Sequence, residues 1–325
     1  MANASLCPLI REKNRPVMPK IAVIGEGVID RFVSDSGSRD VIGGSGLNTA
    51  VAMRRAGSDA VWFSRLAQDA NGLVLSQYAK SEGVLSTPQI IGTEPASLVE
   101  VFLTEAGQPR YRFSLDGAVD WQWTDAELNG LDNIYEVIQI GSLSAVLEPG
   151  SEKLLRKLQK LKMTKHPPLI TYDPNARPSA AKNDSDANRM KNRILEMVSI
   201  SDVVKVSDED LSWINSNSQP FDTAKLWSEI GPSLVVMTKG AEGAVAFSKG
   251  LEIASVSGIE IQVVDTVGAG DTFMAWLVHQ IANKFECKVP SGQAAITSLI
   301  ETCVKASAIT CSREGCKPPF ADEVI

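Results

Sequence analysis

The chain has 325 residues, of which 44% are hydrophobic, 22% charged and 6% aromatic, a globular balance rather than a disordered or fibrous one. Its 39 acidic residues outnumber 32 lysines and arginines, and this net charge of −7 argues against a sequence-independent grip on nucleic acid or an anionic membrane. No apolar run approaches the roughly 18 residues that span a bilayer. Five scattered cysteines (Cys7, Cys287, Cys303, Cys311, Cys316) and two histidines give neither a disulfide framework nor a zinc site, so a reduced, cytoplasmic protein is expected.

Residues 1–18 read as a loose leader, and residues 19–325 as a domain in which apolar runs alternate with helical patterns. Ile21–Ile24 is a buried-strand pattern that stops at Gly25. The small residues of Leu47–Ala56 predict a helix stopped by Gly57, Val61–Phe63 a short strand, and Ala70–Glu82 a helix stopped by Gly83. The runs Leu98–Leu103 and Tyr111–Ser114 flank a turn at 105–108, and Phe32–Ile42 has the same β and turn character. These pieces are expected to form a small separate sheet, inserted as segments 31–43 and 95–118. Strand patterns then return at Val137–Ile140, Leu169–Tyr172, Val203–Val206 and Leu234–Met237. A helix opened by Pro149 aligns Leu154, Leu155, Leu158 and Leu161 on one face. Strands alternating with helices predict a mostly parallel central sheet covered on both faces, with ligands beyond the carboxyl ends of its strands.

The strongest motif is Asp265-Thr266-Val267-Gly268-Ala269-Gly270-Asp271-Thr272, which follows the apolar run Ile259–Val264 and opens an amphipathic helix. Gly268 and Gly270 let the backbone turn close to a ligand, and the free N–H groups and dipole of the helix start favour an anion. A carboxylate at Asp271 repels a phosphate there, and makes sense if it takes a proton from an attacking hydroxyl; a plain N-cap aspartate is the structural alternative. The second motif, Gly43-Gly44-Ser45-Gly46-Leu47-Asn48, clears room against the backbone and aims Asn48 at a ligand; an ordinary helix start is its alternative. Gly25-x-Gly27-x-x-Asp30 lacks the third glycine of a dinucleotide fingerprint, which sets a nicotinamide-dependent oxidoreductase aside, and no P-loop sequence occurs. His279, Trp121 and Trp123 read as packing.

In order along the chain, these motifs resemble those of the ribokinase-like (PfkB) sugar kinases. Gly43-Gly44 with Asn48 and the helix to Arg55-Ala56-Gly57 is similar to the first family motif, and Asp265–Asp271 to the second. Gly25–Asp30, Asp173-Pro174-Asn175-Ala176-Arg177 and Asp202–Ser207 are similar to the fructokinase branch. The resemblance implies a ribokinase-like α/β fold with a small β lid, and transfer of the γ-phosphate of ATP, with Mg²⁺, to a sugar hydroxyl; D-fructose giving fructose 6-phosphate is the expected reaction. It implies Asp271 as catalytic base, and the N–H groups of Gly268, Ala269 and Gly270 as the anion hole. Asp30, Gly43, Gly44, Asn48, Arg112 and Arg177 would meet the sugar, and Lys205, Ser207, Thr238, Gly240 and Gly243 the ATP. Many relatives carry N-x-x-E near Mg²⁺; here the stretch is Ser207-Asp208-Glu209-Asp210, with Asp210 as the indirect metal residue. Family members often hold a monovalent cation such as K⁺ on backbone carbonyls, which would be those of Asp265 and Val267 beside Thr310–Gly315. Pairing of two lids would give a homodimer. The alternatives are 2-keto-3-deoxygluconate (for which Arg112 and Arg110 would be the extra cations) or a riboside or nucleoside as acceptor, and a non-catalytic, sugar-binding regulatory relative.

Overall fold

The computed structural model describes residues 18–34, 37–86, 90–103, 109–132 and 134–325; the expected leader up to residue 17 and the turn at 105–108 lie outside them. In chain order, β1 (Lys20–Ile24), β2 (Val28–Ser34) and β3 (Gly37–Gly43) precede α1 (Ser45–Arg55). Then come β4 (Asp59–Phe63), β5 (Arg65–Ala67), α2 (Ala70–Ser81), β6 (Leu85–Ser86), β7 (Ile90–Gly92), β8 (Leu98–Leu103) and β9 (Pro109–Ser114). They are followed by α3 (Asp125–Leu128), β10 (Val137–Gly141), α4 (Gly150–Lys162), β11 (Leu169–Asp173), α5 (Asp184–Ile200), β12 (Val203–Ser207) and α6 (Asp208–Ile214). The chain ends with α7 (Pro220–Ile230), β13 (Leu234–Thr238), β14 (Ala244–Ser248), β15 (Leu251–Val256), α8 (Ala269–Asn283), α9 (Gln293–Cys311) and α10 (Ala321–Val324).

The central sheet has the order β15-β14-β13-β12-β11-β10-β1-β4-β6. From β13 to β6 neighbouring strands are parallel, and β14 and β15 turn back antiparallel. The period-2 alternation of each strand feeds two cores. Ile21 and Val23 join the core under α1, α2, α8 and α9, while Ala22 and Ile24 join the one under α4, α5, α6 and α7. Both faces are therefore covered, as a largely parallel sheet requires. Trp121 and Trp123 belong to the second core, with Trp123 stacked on Phe63 at 5.2 Å. His279 is a boundary histidine: its Nδ1 lies 2.8 Å from Ser58 Oγ, and burial pulls its pKa down to about 4. Helix α9 has the length and apolar character of a membrane span, but here it packs on α8 and β15 and buries Ile296, Leu299, Ile300 and Cys303.

A second, four-stranded sheet has the order β3-β2-β8-β9 and gathers the segments expected to lie apart. Its two middle strands leave the body side by side. At their root Asp120 accepts hydrogen bonds from Gly27 N (3.3 Å) and Ser97 Oγ (2.5 Å). Burial, with Glu26 nearby, pushes the Asp120 carboxyl up to about 7 despite the Ser97 and Gly27 donors.

Two close approaches aim the chain at the carboxyl end of the sheet. A Cβ on Gly46 would fall 2.3 Å from the Gly25 carbonyl carbon, and one on Gly25 would fall 2.6 Å from Gly46 Cα, so the start of α1 sits directly on the end of β1. Gly268 caps α8 at φ 76°, a left-handed turn in which a Cβ would meet Cys316 Sγ. The apolar run Ile259–Val264 is no strand: it is an irregular segment with Ile259, Val263 and Val264 about half exposed. We expect Gly46→Ala to force α1 away from β1 and to destabilise the protein by about 1–3 kcal/mol; urea unfolding reads this as a lower midpoint at unchanged slope.

Candidate active site

Gly44, at φ 100°, follows β3 and caps α1 with no side-chain hydrogen bond. The hydroxyl of Ser45 is thus free of capping duty and donates to Asp271 Oδ1 at 2.7 Å. One turn on, Asn48 Nδ2 donates to Asp271 Oδ2 at 2.9 Å. Both oxygens of this buried carboxylate are thereby held from α1, although Asp271 belongs to the first turn of α8. The anion cradle is expected at the first turn of α8. Ala269 N–H is drawn into the turn, donating to Thr266 O at 3.2 Å, whereas the N–H groups of Gly268 and Gly270 make no such bond among the described residues.

These groups open on a cleft of about 540 Å³ between the two sheets. Asp30, Gly43, Gly44, Asn48 and Arg177 line it with Asp271, Gly268 and Gly270. Gly43 makes room for Asp30: a Cβ there would fall 2.6 Å from Asp30 Oδ2. Burial pushes the Asp30 carboxyl up to about 6, against the pull of the Arg177 guanidinium. Glu26, which sequence reasoning left without a role, also lines the cleft, where its Oε2 accepts from Ser144 N and Oγ at 3.2 and 3.1 Å.

Behind the cleft stands a buried ion pair that the motifs did not reveal: Lys205 Nζ donates to Asp173 Oδ2 at 2.9 Å. Burial pushes Asp173 up to about 6, aided by Asp210 and Asp271 and opposed by Lys205. Lys205 stays protonated because Asp173, Asp210 and Asp271 together outweigh its own burial. Its Nζ also packs on Gly270, 2.9 Å from where a Cβ would stand. Asp210 forms a capping box with Ser207, and its Oδ1 accepts from Ala176 N at 2.9 Å, which ties α6 to the loop carrying Arg177.

A second cleft, about 530 Å³, meets the first at Thr266 and Gly270. Thr238, Gly240 and Gly243 line it, together with Phe273, Val304, Ala308 and the half-exposed run Ile259–Val263. The apolar run was thus a cleft wall. Ser207 does not line this cleft; it stands beside Thr238 in register, with its hydroxyl accepting from Asp210 N. Next to the junction, Val264 N and Asp265 N both donate to Cys311 O, and the Asp265 carboxylate accepts from Val267 N and Gly315 N. The stretches 265–267 and 311–315 are therefore held together.

Arg112 is not brought to the site. Register pairs Asp30 with Val99 and Arg31 with Glu100, and Glu100 with Arg112. Arg112 therefore projects from the face opposite to Asp30, where it bonds Glu100 at 2.7 Å and lies over Phe102.

The sequence pattern of the pfkB family carbohydrate kinases matches residues 18–323. The chain belongs to that family. A fructokinase of Rhizobium leguminosarum bv. trifolii is 34% identical over 266 residues, covering 80% of this chain and 79% of that one. Among solved structures, the Xylella fastidiosa fructokinase with bound ATP superposes with a TM-score of 0.79 at 20% identity, covering 94% of this chain and 96% of the other. A Vibrio cholerae O395 fructokinase double mutant with fructose, ADP and a potassium ion gives 0.78 at 22%, covering 92% and 94%. At such identities the structures show the ribokinase-like fold. The PfkB kinase built on it is an ATP-dependent sugar kinase.

Stability should follow the buried pair of this kinase. Lys205→Met leaves Asp173 buried beside two other carboxylates, so the expected cost near pH 8 is about 3–5 kcal/mol. A carboxyl whose pKa is raised on folding stabilises the protein below its unfolded value of 3.8 and loses that contribution as pH rises through about 6. The cost of Lys205→Met should therefore shrink on going from pH 8 to pH 5, which denaturant unfolding at the two pH values measures.

Proposed function

We propose that the protein phosphorylates D-fructose with ATP, giving fructose 6-phosphate and ADP. The observation that carries this reading is Asp271, fixed by two donors beside the unengaged N–H groups of Gly268 and Gly270 at the start of α8. Asp271 takes the proton of the acceptor hydroxyl as that oxygen forms its bond to the γ-phosphorus. The bond from phosphorus to the bridging oxygen breaks, and ADP leaves with the electron pair. The helix start and the two N–H groups stabilise the charge on the transferring phosphoryl group, with the Ala269 N–H shared with Thr266. Thr238, Gly240 and Gly243 lie along the nucleotide, and Lys205 anchors Gly270 from behind.

The cleft favours a neutral acceptor. Its lining holds three carboxylates, of Glu26, Asp30 and Asp271, against one cation, Arg177. A carboxylate-bearing 2-keto-3-deoxygluconate would need more positive charge, and Arg112 points elsewhere. Asp30 and Arg177 are read as hydroxyl contacts, with the small sheet as a lid that excludes water.

Among the described residues no three His, Cys, Asp or Glu side chains gather to hold a metal directly. That fits Mg²⁺, which takes phosphate oxygens and waters with one or two carboxylates; Asp210, its oxygens accepting only backbone N–H groups, is the residue to hold it through water. Mg²⁺, when bound, offsets the charge of the ATP phosphates. The joined stretches 265–267 and 311–315 suit K⁺ on the carbonyls of Asp265 and Val267. The reading also places the enzyme in the cytoplasm as a homodimer. The four described cysteines are free, and Phe32 on the lid face of Asp30 and Val101 is 38% exposed. Sedimentation at micromolar concentration should return the dimer mass.

ADP release with Mg·ATP tests the acceptor across fructose, glucose, ribose, 2-keto-3-deoxygluconate, an aminoimidazole riboside and adenosine, with and without K⁺. Fructose should react best, and Asp271→Asn should lower kcat roughly 100-fold or more while ADP still binds. A different winner keeps the mechanism and overturns the substrate. Because Asp30 holds its proton up to about pH 6, KM for fructose should rise as pH falls below 6, and Asp30→Asn should remove that dependence.

A further inference from the structure

We infer that Ser45 is a positioning residue of the transfer reaction, holding the Asp271 carboxylate at the angle from which it receives the acceptor proton. The inference rests on the reading of Asp271 as base and adds a residue to it. A serine at a helix cap commonly spends its hydroxyl on the helix's own first N–H groups, but Ser45 stands one residue past the cap, at the first position of α1. Here Gly44 is the cap and makes no side-chain cap bond, and Ser45 Oγ instead crosses 226 sequence positions to Asp271 Oδ1 at 2.7 Å. The same side chain lines the cleft.

The geometry separates the two donors. Asn48 holds Oδ2 and Ser45 holds Oδ1, so the plane of the carboxylate is set by α1 at both oxygens. With Asn48 alone the group can turn about a single hydrogen bond. Since Gly25 and Gly46 seat α1 on the end of β1, Ser45 transmits the position of the central sheet to the reacting atom. A base misaligned by a fraction of an ångström loses rate without losing substrate affinity.

The test compares Ser45→Ala, Ser45→Thr and Asp271→Asn by kcat and by KM for fructose and ATP. Ser45→Ala is expected to lower kcat roughly tenfold with both KM values within about twofold. Ser45→Thr keeps the hydroxyl and should recover most of the rate. Wild-type kcat in Ser45→Ala, or a loss that falls on KM rather than kcat, overturns the inference. So does an equal loss in Ser45→Thr, which makes packing rather than the hydroxyl decisive. Activity retained in Asp271→Asn instead overturns the base itself, a distinguishable failure.

Discussion

The active site depends on one carboxylate held by two helices. Asp271 opens α8, near the end of the chain, yet both of its oxygens accept from α1, near the start. That is possible only because the two helix starts converge: Gly46 seats α1 directly on the end of β1, and Gly268 turns the chain into α8 against Cys316. The N-terminus of a helix attracts an anion, and a carboxylate in the same turn repels one. Donors from α1 hold that carboxylate in place without neutralising it, so the proposed anion site and base can share a single turn.

Buried charge is balanced around this joint rather than avoided. Lys205 sits among Asp173, Asp210 and Asp271 and touches Gly270, so the strongest cation at the junction is already committed to carboxylates of the chain. An unpaired lysine there would bind the phosphates more strongly in ground and transition states alike, which lowers KM without raising kcat. A lysine with an internal partner instead keeps its charge on the chain's own carboxylate while lying against Gly270. The same reasoning covers Asp210. Its oxygens are engaged by Ser207 and Ala176, and a carboxylate ordered in this way suits a metal reached through water better than one bound directly.

Local patterns in the sequence disclosed the frame of the molecule. The apolar runs that became β1, β10, β11, β12 and β13 are each bounded by helix signals, and the glycine-rich turns at 43–46 and 268–270 announce close backbone approach. Contacts between distant residues left no such trace. Lys205 and Asp173 are 32 positions apart and look like ordinary strand residues until β11 and β12 lie side by side. Arg112 shows why register matters, since a shift of one residue exchanges the faces of a strand and sequence alone does not fix the pairing with β8. Ile259–Val264 has the composition of a buried strand because it walls a ligand cleft, a task that asks for apolar residues without asking for a ladder.

The small sheet adds a constraint of its own. β2 and β8 leave the body beside one another, and Asp120 grips both at that point, through Gly27 N and Ser97 Oγ. Gly27 follows Glu26, whose side chain lines the first cleft, and precedes β2, which carries Asp30 into it. A lid movement of the sheet over the cleft, as proposed, would pivot at Gly27, between Glu26 and β2. A carboxyl pushed up to about 7 at this pivot is neutral for part of the physiological range, and a neutral Asp120 repels Glu26 less than a charged one. The root of the sheet, Glu26 in the cleft and Asp30 are thus joined along one stretch of chain, while Asp271 belongs to the first turn of α8.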